Sequence, residues 1–195
     1  MSIKRKGEQG YINFMKSFNL LVTFVMFFIA AVIFIIGLNI YESKANLMTI
    51  IGALFVIPAA RFMTVWFLFL PFKSVTKEKY EKVFSLMKQG NLLYTDVLFT
   101  STERAYGASF MVLTSDKIFI YTTKNCNKLQ DYMADILKRR AFAMKVSCTD
   151  DEGKFMNYLK GADSYAEKTY EDEDDKDAAV KERERLKEVL ESFMA

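Results

Sequence analysis

Two long apolar runs, Phe18 to Ile40 and Leu47 to Phe72, stand near the start of the chain with a short polar loop between them. At a rise of 1.5 Å per helical residue, each run is longer than the roughly 30 Å of hydrocarbon in a bilayer. The pattern predicts a transmembrane helical hairpin over residues 18–72. Small residues recur at heptad spacing, Ala30 and Gly37 on the first helix and Gly52 and Ala59 on the second. Such positions let two membrane helices approach closely, so they predict the packing face. Pro58 removes one backbone hydrogen bond and predicts a kink.

Beyond Lys73 the periodicity changes to that of a water-soluble domain. Tyr80, Val83, Phe84 and Met87 lie at i, i+3, i+4, i+7, a helix closed by Gly90. Leu92–Thr100, Ala108–Thr114 and Ile118–Thr123 read as strands, the last two joined by a turn at Ser115, Asp116 and Lys117. Phe110 to Leu113 and Ile118 to Ile120 do not alternate with polar residues, which predicts a sheet covered on both faces. Leu129, Tyr132, Met133, Ile136 and Leu137 share one face of a further helix, with Asn127 and Gln130 as a capping pair. Met144–Cys148 reads as a short strand. Thr149 and Glu152 form a capping box for a helix carrying Phe155, Tyr158 and Leu159. The order α-β-β-β-α-β-α predicts a mixed α/β sheet with packed helices. Tyr170–Asp177 is an acidic run read as a solvated linker. A last helix, Ala178–Met194, places Leu186, Val189, Leu190 and Phe193 on one narrow face, which docks either on the domain or on another subunit.

Charge divides the chain further: residues 1–17 form a basic terminus, 18–72 the hairpin, 73–162 the α/β domain and 163–195 the linker and amphipathic helix. Residues 73–162 carry 15 basic and 10 acidic side chains; residues 163–195 carry 6 and 12. Lys4, Arg5, Lys6 and Lys16 precede the first span, and Lys73, Lys77 and Lys79 follow the second. Under the positive-inside rule this predicts a multi-pass plasma-membrane protein with both termini cytoplasmic. The first run is too long for a signal-peptide core and reads as an uncleaved anchor. A cytoplasmic domain predicts that Cys126 and Cys148 are not joined in a structural disulfide, and their spacing fits no zinc site. The chain has no histidine, which excludes Ser-His and Cys-His catalysis and His-ligated metals.

Arg61 interrupts the second run about 14 residues in, where a central arginine costs on the order of 2.5–3.5 kcal/mol. Neither span offers it an acid. Two readings follow: contact with an anion, lipid headgroup or subunit, or a span that ends near Trp66 so that Arg61 snorkels to the headgroups and Phe67–Phe72 lies in the interface.

The stretch Val112–Asn125 (VLTSDKIFIYTTKN) resembles the central hairpin of nuclease-related (NERD) domains, and the element order is similar to the core of restriction-endonuclease-like folds. The resemblance implies Mg²⁺ held by two acids, one opening the first hairpin strand and one in a Glu-x-Lys closing the second, with the lysine assisting attack on a phosphodiester. Here Ser109 stands at the first acidic position and Thr122 at the glutamate, and Lys124 alone is retained. A hydroxyl cannot replace a carboxylate as ligand to a hard dication, so these departures argue against hydrolysis.

The remaining acids are candidates for a metal: Asp96 within the first strand, which otherwise faces solvent or pairs with a lysine; Asp116, explained by turn chemistry; and Glu103 in the following loop. The acidic run lacks the glycine and terminal glutamate of a calcium loop. Asp96 and Lys124 are thus the candidate catalytic residues, with no cofactor implied. Lys138, Arg139 and Arg140 end a helix whose dipole they complement and are candidates for facing anionic lipid. No reader motif accompanies them, which argues against nucleic acid. The sequence points to a non-enzymatic, membrane-anchored interaction or assembly module. Its partners would be the bilayer, a protein held through the C-terminal helix, or a second copy. A divergent metal-dependent nuclease and an oligomeric pore or transporter subunit are the alternatives.

Overall fold

The structure is a computed structural model and describes residues 4–41, 47–101, 104–115, 117–163 and 173–194. It divides into two compact units, residues 12–73 and residues 1–11 with 74–195.

The smaller unit holds two helices long and apolar enough to cross a membrane, α1 (Tyr11–Tyr41) and α2 (Leu47–Phe69). Only 17% of the most apolar stretch of α1 and 11% of that of α2 is buried, so neither is a core helix within this chain. The large side chains of Phe24, Phe28, Ile35, Leu54 and Ile57 point outward. What is buried is the seam of small residues: Ala30, Gly37, Gly52 and Ala59. A Cβ built at Gly52 would lie 3.2 Å from the Ala30 carbonyl oxygen, so the helices meet backbone to backbone there.

Two polar residues extend this seam, Asn19 and Thr23, each bonded to a carbonyl one turn earlier (Met15, 2.7 Å; Asn19, 2.8 Å). Pro58 is accommodated without ending α2, which continues past Trp66 to a buried Phe69. Lys16 then donates to the Leu70 and Phe72 carbonyl oxygens at 3.2 and 2.5 Å. It thereby places a cation against the orphan carbonyls at a helix C-terminus.

The larger unit is a four-stranded sheet in the order β1 (Leu92–Thr100), β2 (Ala105–Leu113), β3 (Lys117–Tyr121), β4 (Lys145–Thr149). The first three strands run antiparallel and β4 lies parallel to β3. Helices α3 (Lys77–Ser85) and α5 (Glu152–Gly161) contribute Val83, Phe155, Met156 and Leu159 to one core, against Phe110, Val112 and Tyr121. Helices α4 (Cys126–Arg139) and α6 (Glu173–Phe193) cover the other face, against Met111, Leu113, Ile118 and Ile120. The unbroken apolar strands are thus covered on both sides, as their pattern predicts. The C-terminal helix docks on its own domain: Leu186, Leu190 and Met194 are buried, each contributing about 1.5–3 kcal/mol on burial.

Several local expectations are corrected. Helix α3 stops at Ser85, and Phe84 is exposed with its ring stacked on Tyr80. Helix α4 starts at Cys126 after a left-handed Asn125 and lacks a side-chain cap. Gln130 instead accepts the Cys148 N–H at 3.0 Å and ties α4 to β4. Asp151 caps α5 by accepting from Gly153 and Lys154, while Thr149 accepts from Asp151. Helix α6 begins at Glu173, inside the expected acidic linker; the first residues of that run lie outside the described residues.

Cys126 and Cys148 are joined in a disulfide with Cα atoms 5.6 Å apart, contrary to the expectation drawn from a reducing compartment. The start of α4 packs beside β4, and that neighbourhood, invisible in their spacing along the chain, sets the two sulfurs together.

The α4 C-terminus forms a Schellman turn: Phe142 N–H donates to Leu137 and Ala141 N–H to Lys138, with Ala141 at φ 59°. Ala141→Gly relieves this left-handed alanine and should raise stability by about 1 kcal/mol in urea denaturation. Gly52→Val should destabilise the hairpin by about 1–3 kcal/mol through overpacking, read as unfolding at a lower SDS fraction.

Candidate functional site

Asp96 is the feature of the domain that the strand pattern explains least. The β1–β2 ladder pairs Thr95 with Phe110 and Val97 with Ala108, skipping Asp96 and Ser109 between them. On β1, Tyr94, Val97 and Phe99 share one core; on β2, Ala108 and Met111 do. Both strands therefore change face at the skipped position, together, so the register survives. Asp96 absorbs the irregularity with φ 53°, a conformation that aspartate tolerates better than most L-residues.

The same twist turns the Asp96 side chain inward, where it is fully buried. One carboxylate oxygen accepts from Gly10 N–H at 2.6 Å and Ser74 Oγ at 2.5 Å; the other accepts from Val75 N–H at 2.7 Å. The Tyr11 N–H adds a further backbone donor. Burial pushes the carboxyl above the usual aspartate range, opposed by the bonds from Ser74, Val75, Gly10 and Tyr11. Asp96 thus neither faces solvent nor pairs with a lysine. Its acceptors hold the chain where it enters α1 and where it returns from α2.

The N-terminal segment is laid along β1 by further contacts. Thr95 donates to the Gly7 carbonyl through both its N–H (2.8 Å) and its hydroxyl (3.2 Å). Gly7 has φ +80°, and a Cβ there would stand 2.6 Å from the Tyr94 ring. Lys6 Nζ donates to the Met194 carbonyl at 2.7 Å, and Met194 bridges to Phe99. No motif marks this segment; the two glycines Gly7 and Gly10, both at positive φ, are its nearest sequence signal.

At the positions the nuclease resemblance singles out, the hydroxyl of Thr122 is buried and donates to the Gly107 carbonyl at 2.7 Å and the Lys124 carbonyl at 3.2 Å. Lys124 is exposed and its N–H donates to Thr122 Oγ1 at 3.4 Å. Asp96 spends its acceptors on residues 10, 11, 74 and 75, so the contacts bring the two candidate catalytic residues into no common constellation. No group of three or more Asp, Glu, Cys or His side chains suited to a metal occurs among the described residues. Asp116 and Glu103 lie outside the described residues.

The three basic residues of α4 have separate neighbours. Arg139 pairs with Asp135 at 2.6 Å on an exposed surface, Arg140 lies 5.8 Å over the Phe193 ring of α6, and Lys138 is exposed. Arg61 is exposed on α2.

Asp96→Asn keeps the left-handed backbone but turns an amide N–H₂ toward a backbone donor. It should cost about 1–3 kcal/mol at neutral pH, measured by chemical denaturation. Because the native carboxyl titrates above its unfolded value, its contribution is complete below the ordinary aspartate range and declines as pH rises through the native value. The variant's stability profile should lack that step.

No family model, curated protein or solved structure matches the chain.

Proposed function

We propose that this protein is a membrane-anchored, non-enzymatic interaction or assembly module: a two-span hairpin carrying an α/β domain at the cytoplasmic face of the plasma membrane. One observation carries the reading. Both long helices bury their small residues and turn their large apolar side chains outward, a surface suited to lipid. Residues 7–11 and 74–75 are held on the same strand by Thr95 and Asp96. This supports an arrangement in which both flanks of the hairpin lie on the same side of the membrane. The excess of lysine and arginine beside both spans assigns that side to the cytoplasm.

In this setting Arg61 snorkels to the nearby headgroups. Lys138, with what remains exposed of Arg139 and Arg140, offers charge to anionic lipid, each worth about 1 kcal/mol near the surface. The C-terminal helix spends its apolar anchors inside the domain, so a protein partner meets its charged outer face. The assembly role is favoured over a metal-dependent nuclease because the buried carboxylate at Asp96 already accepts from backbone and hydroxyl donors.

In fractionated cells the full chain should stay with membranes through alkaline carbonate and be released by detergent. Phe28→Arg with Leu54→Arg, each costing about 2.5–3.5 kcal/mol at a lipid-facing site, should shift it to the soluble or degraded pool. Recovery of the unmodified chain in the carbonate supernatant would overturn the anchor. Calorimetric titration of the solubilised chain with Mn²⁺ should show no saturable heat; saturable binding lost in Asp96→Asn would favour the nuclease.

A further inference from the structure

The disulfide and the charge pattern pull in opposite directions. Cytosolic thiols are kept reduced, and the disulfides found there are mostly transient or redox-sensing, yet the lysine and arginine distribution places this domain in the cytosol. We propose that the Cys126–Cys148 bond is a reversible thiol–disulfide switch, a redox modification site that exchanges with small-molecule disulfides. This inference rests on the cytoplasmic placement proposed above.

Three features of the fold suit the pair to that use. The first is access: both residues are half-buried, neither sealed in a core nor fully exposed, so a small disulfide can reach a sulfur. The second is electrostatic. Cys126 is the first residue of the 14-residue helix α4, whose N-terminus favours negative charge and hence the attacking thiolate. Lys124 and Lys128 flank it in sequence and add positive charge.

The third is that the fold does not need the bond to hold its parts together. Five parallel pairs join β4 to β3, Gln130 accepts the Cys148 N–H, and Leu129, Met133, Ile136 and Leu137 bury the inner face of α4. Both redox states are therefore folded, with Cα atoms 5.6 Å apart, inside the range a disulfide spans without backbone movement. What changes is the tie between β4, an edge strand, and the first turn of α4, which is locked when oxidised and released when reduced.

The chemistry is two successive exchanges. The Cys126 thiolate attacks one sulfur of a small disulfide RSSR, forming a mixed disulfide and expelling RS⁻. The Cys148 thiolate then attacks the Cys126 sulfur, closing the protein bond and expelling the second RS⁻. The protein gives up two electrons and two protons, and RSSR leaves as two thiols RSH.

The test uses the full chain in detergent micelles, equilibrated in glutathione buffers of graded reduced and oxidised content, quenched in acid and alkylated with a polyethylene-glycol maleimide. The expected result is a reversible passage between an unmodified and a doubly modified band within the range of those buffers. A chain that stays unmodified under excess reduced glutathione carries a permanent staple, and one that stays doubly modified under excess glutathione disulfide forms no stable bond; either overturns the switch. A second arm uses intact cells and a membrane-impermeant maleimide. Labelling should require permeabilisation and vanish after a thiol-specific oxidant. Labelling without permeabilisation would overturn the cytoplasmic placement, and with it the switch in the cell, whatever the buffer titration shows.

Discussion

A carboxylate in a dry interior is tolerated only when hydrogen-bond donors surround it, and Asp96 draws those donors from two places far apart in the chain. Gly10 and Tyr11 lie at the start of α1, and Ser74 and Val75 lie beyond the end of α2. Sixty-odd residues of hairpin depart and return at a single buried charge. The backbone cost of placing a non-glycine residue at positive φ is offset by what the side chain then reaches. The paired irregularity in β1 and β2 is the geometry that lets a residue from the middle of a strand serve as this clasp, while Tyr94 and Phe99 still fill one core from either side of it.

The hairpin solves a different problem with the same economy of contacts. The large apolar side chains of both helices point outward, so the helices meet through close backbone approach and satisfied polar groups. Gly52 against the Ala30 carbonyl supplies the approach. Asn19 and Thr23 satisfy their buried polar groups on their own helix, and Lys16 reaches the carbonyls that α2 leaves open. A residue that reads as part of a positive-inside signal is also a helix cap.

Legibility followed the range of the interaction. Apolar runs and periodicity act locally, and they predicted both long helices, the small-residue seam, the element order and strand β1 end to end. The two-sided burial of the sheet followed from Phe110–Leu113 lacking alternation. Contacts between distant segments were not legible: nothing in the spacing of Cys126 and Cys148 discloses that α4 and β4 lie side by side. The role of Asp96 is hidden for a related reason, since an acid within a strand ordinarily faces water, and two of its donors, Gly10 and Tyr11, are separated from it in sequence by the whole hairpin. Capping was misassigned at α4 and α5, where several Asn, Asp, Thr and Gln compete within a few residues and tertiary partners choose among them. The bond from Thr122 to the Gly107 carbonyl likewise joins segments whose proximity only the fold discloses.

The laying of residues 4–11 along β1 bears on where the domain can be cut. A fragment begun at Ser74 would contain the whole sheet yet leave the buried acid without its Gly10 and Tyr11 donors, short of half its partners. The globular unit is discontinuous along the chain, so isolating it calls for a short splice between residues 11 and 74 rather than a truncation.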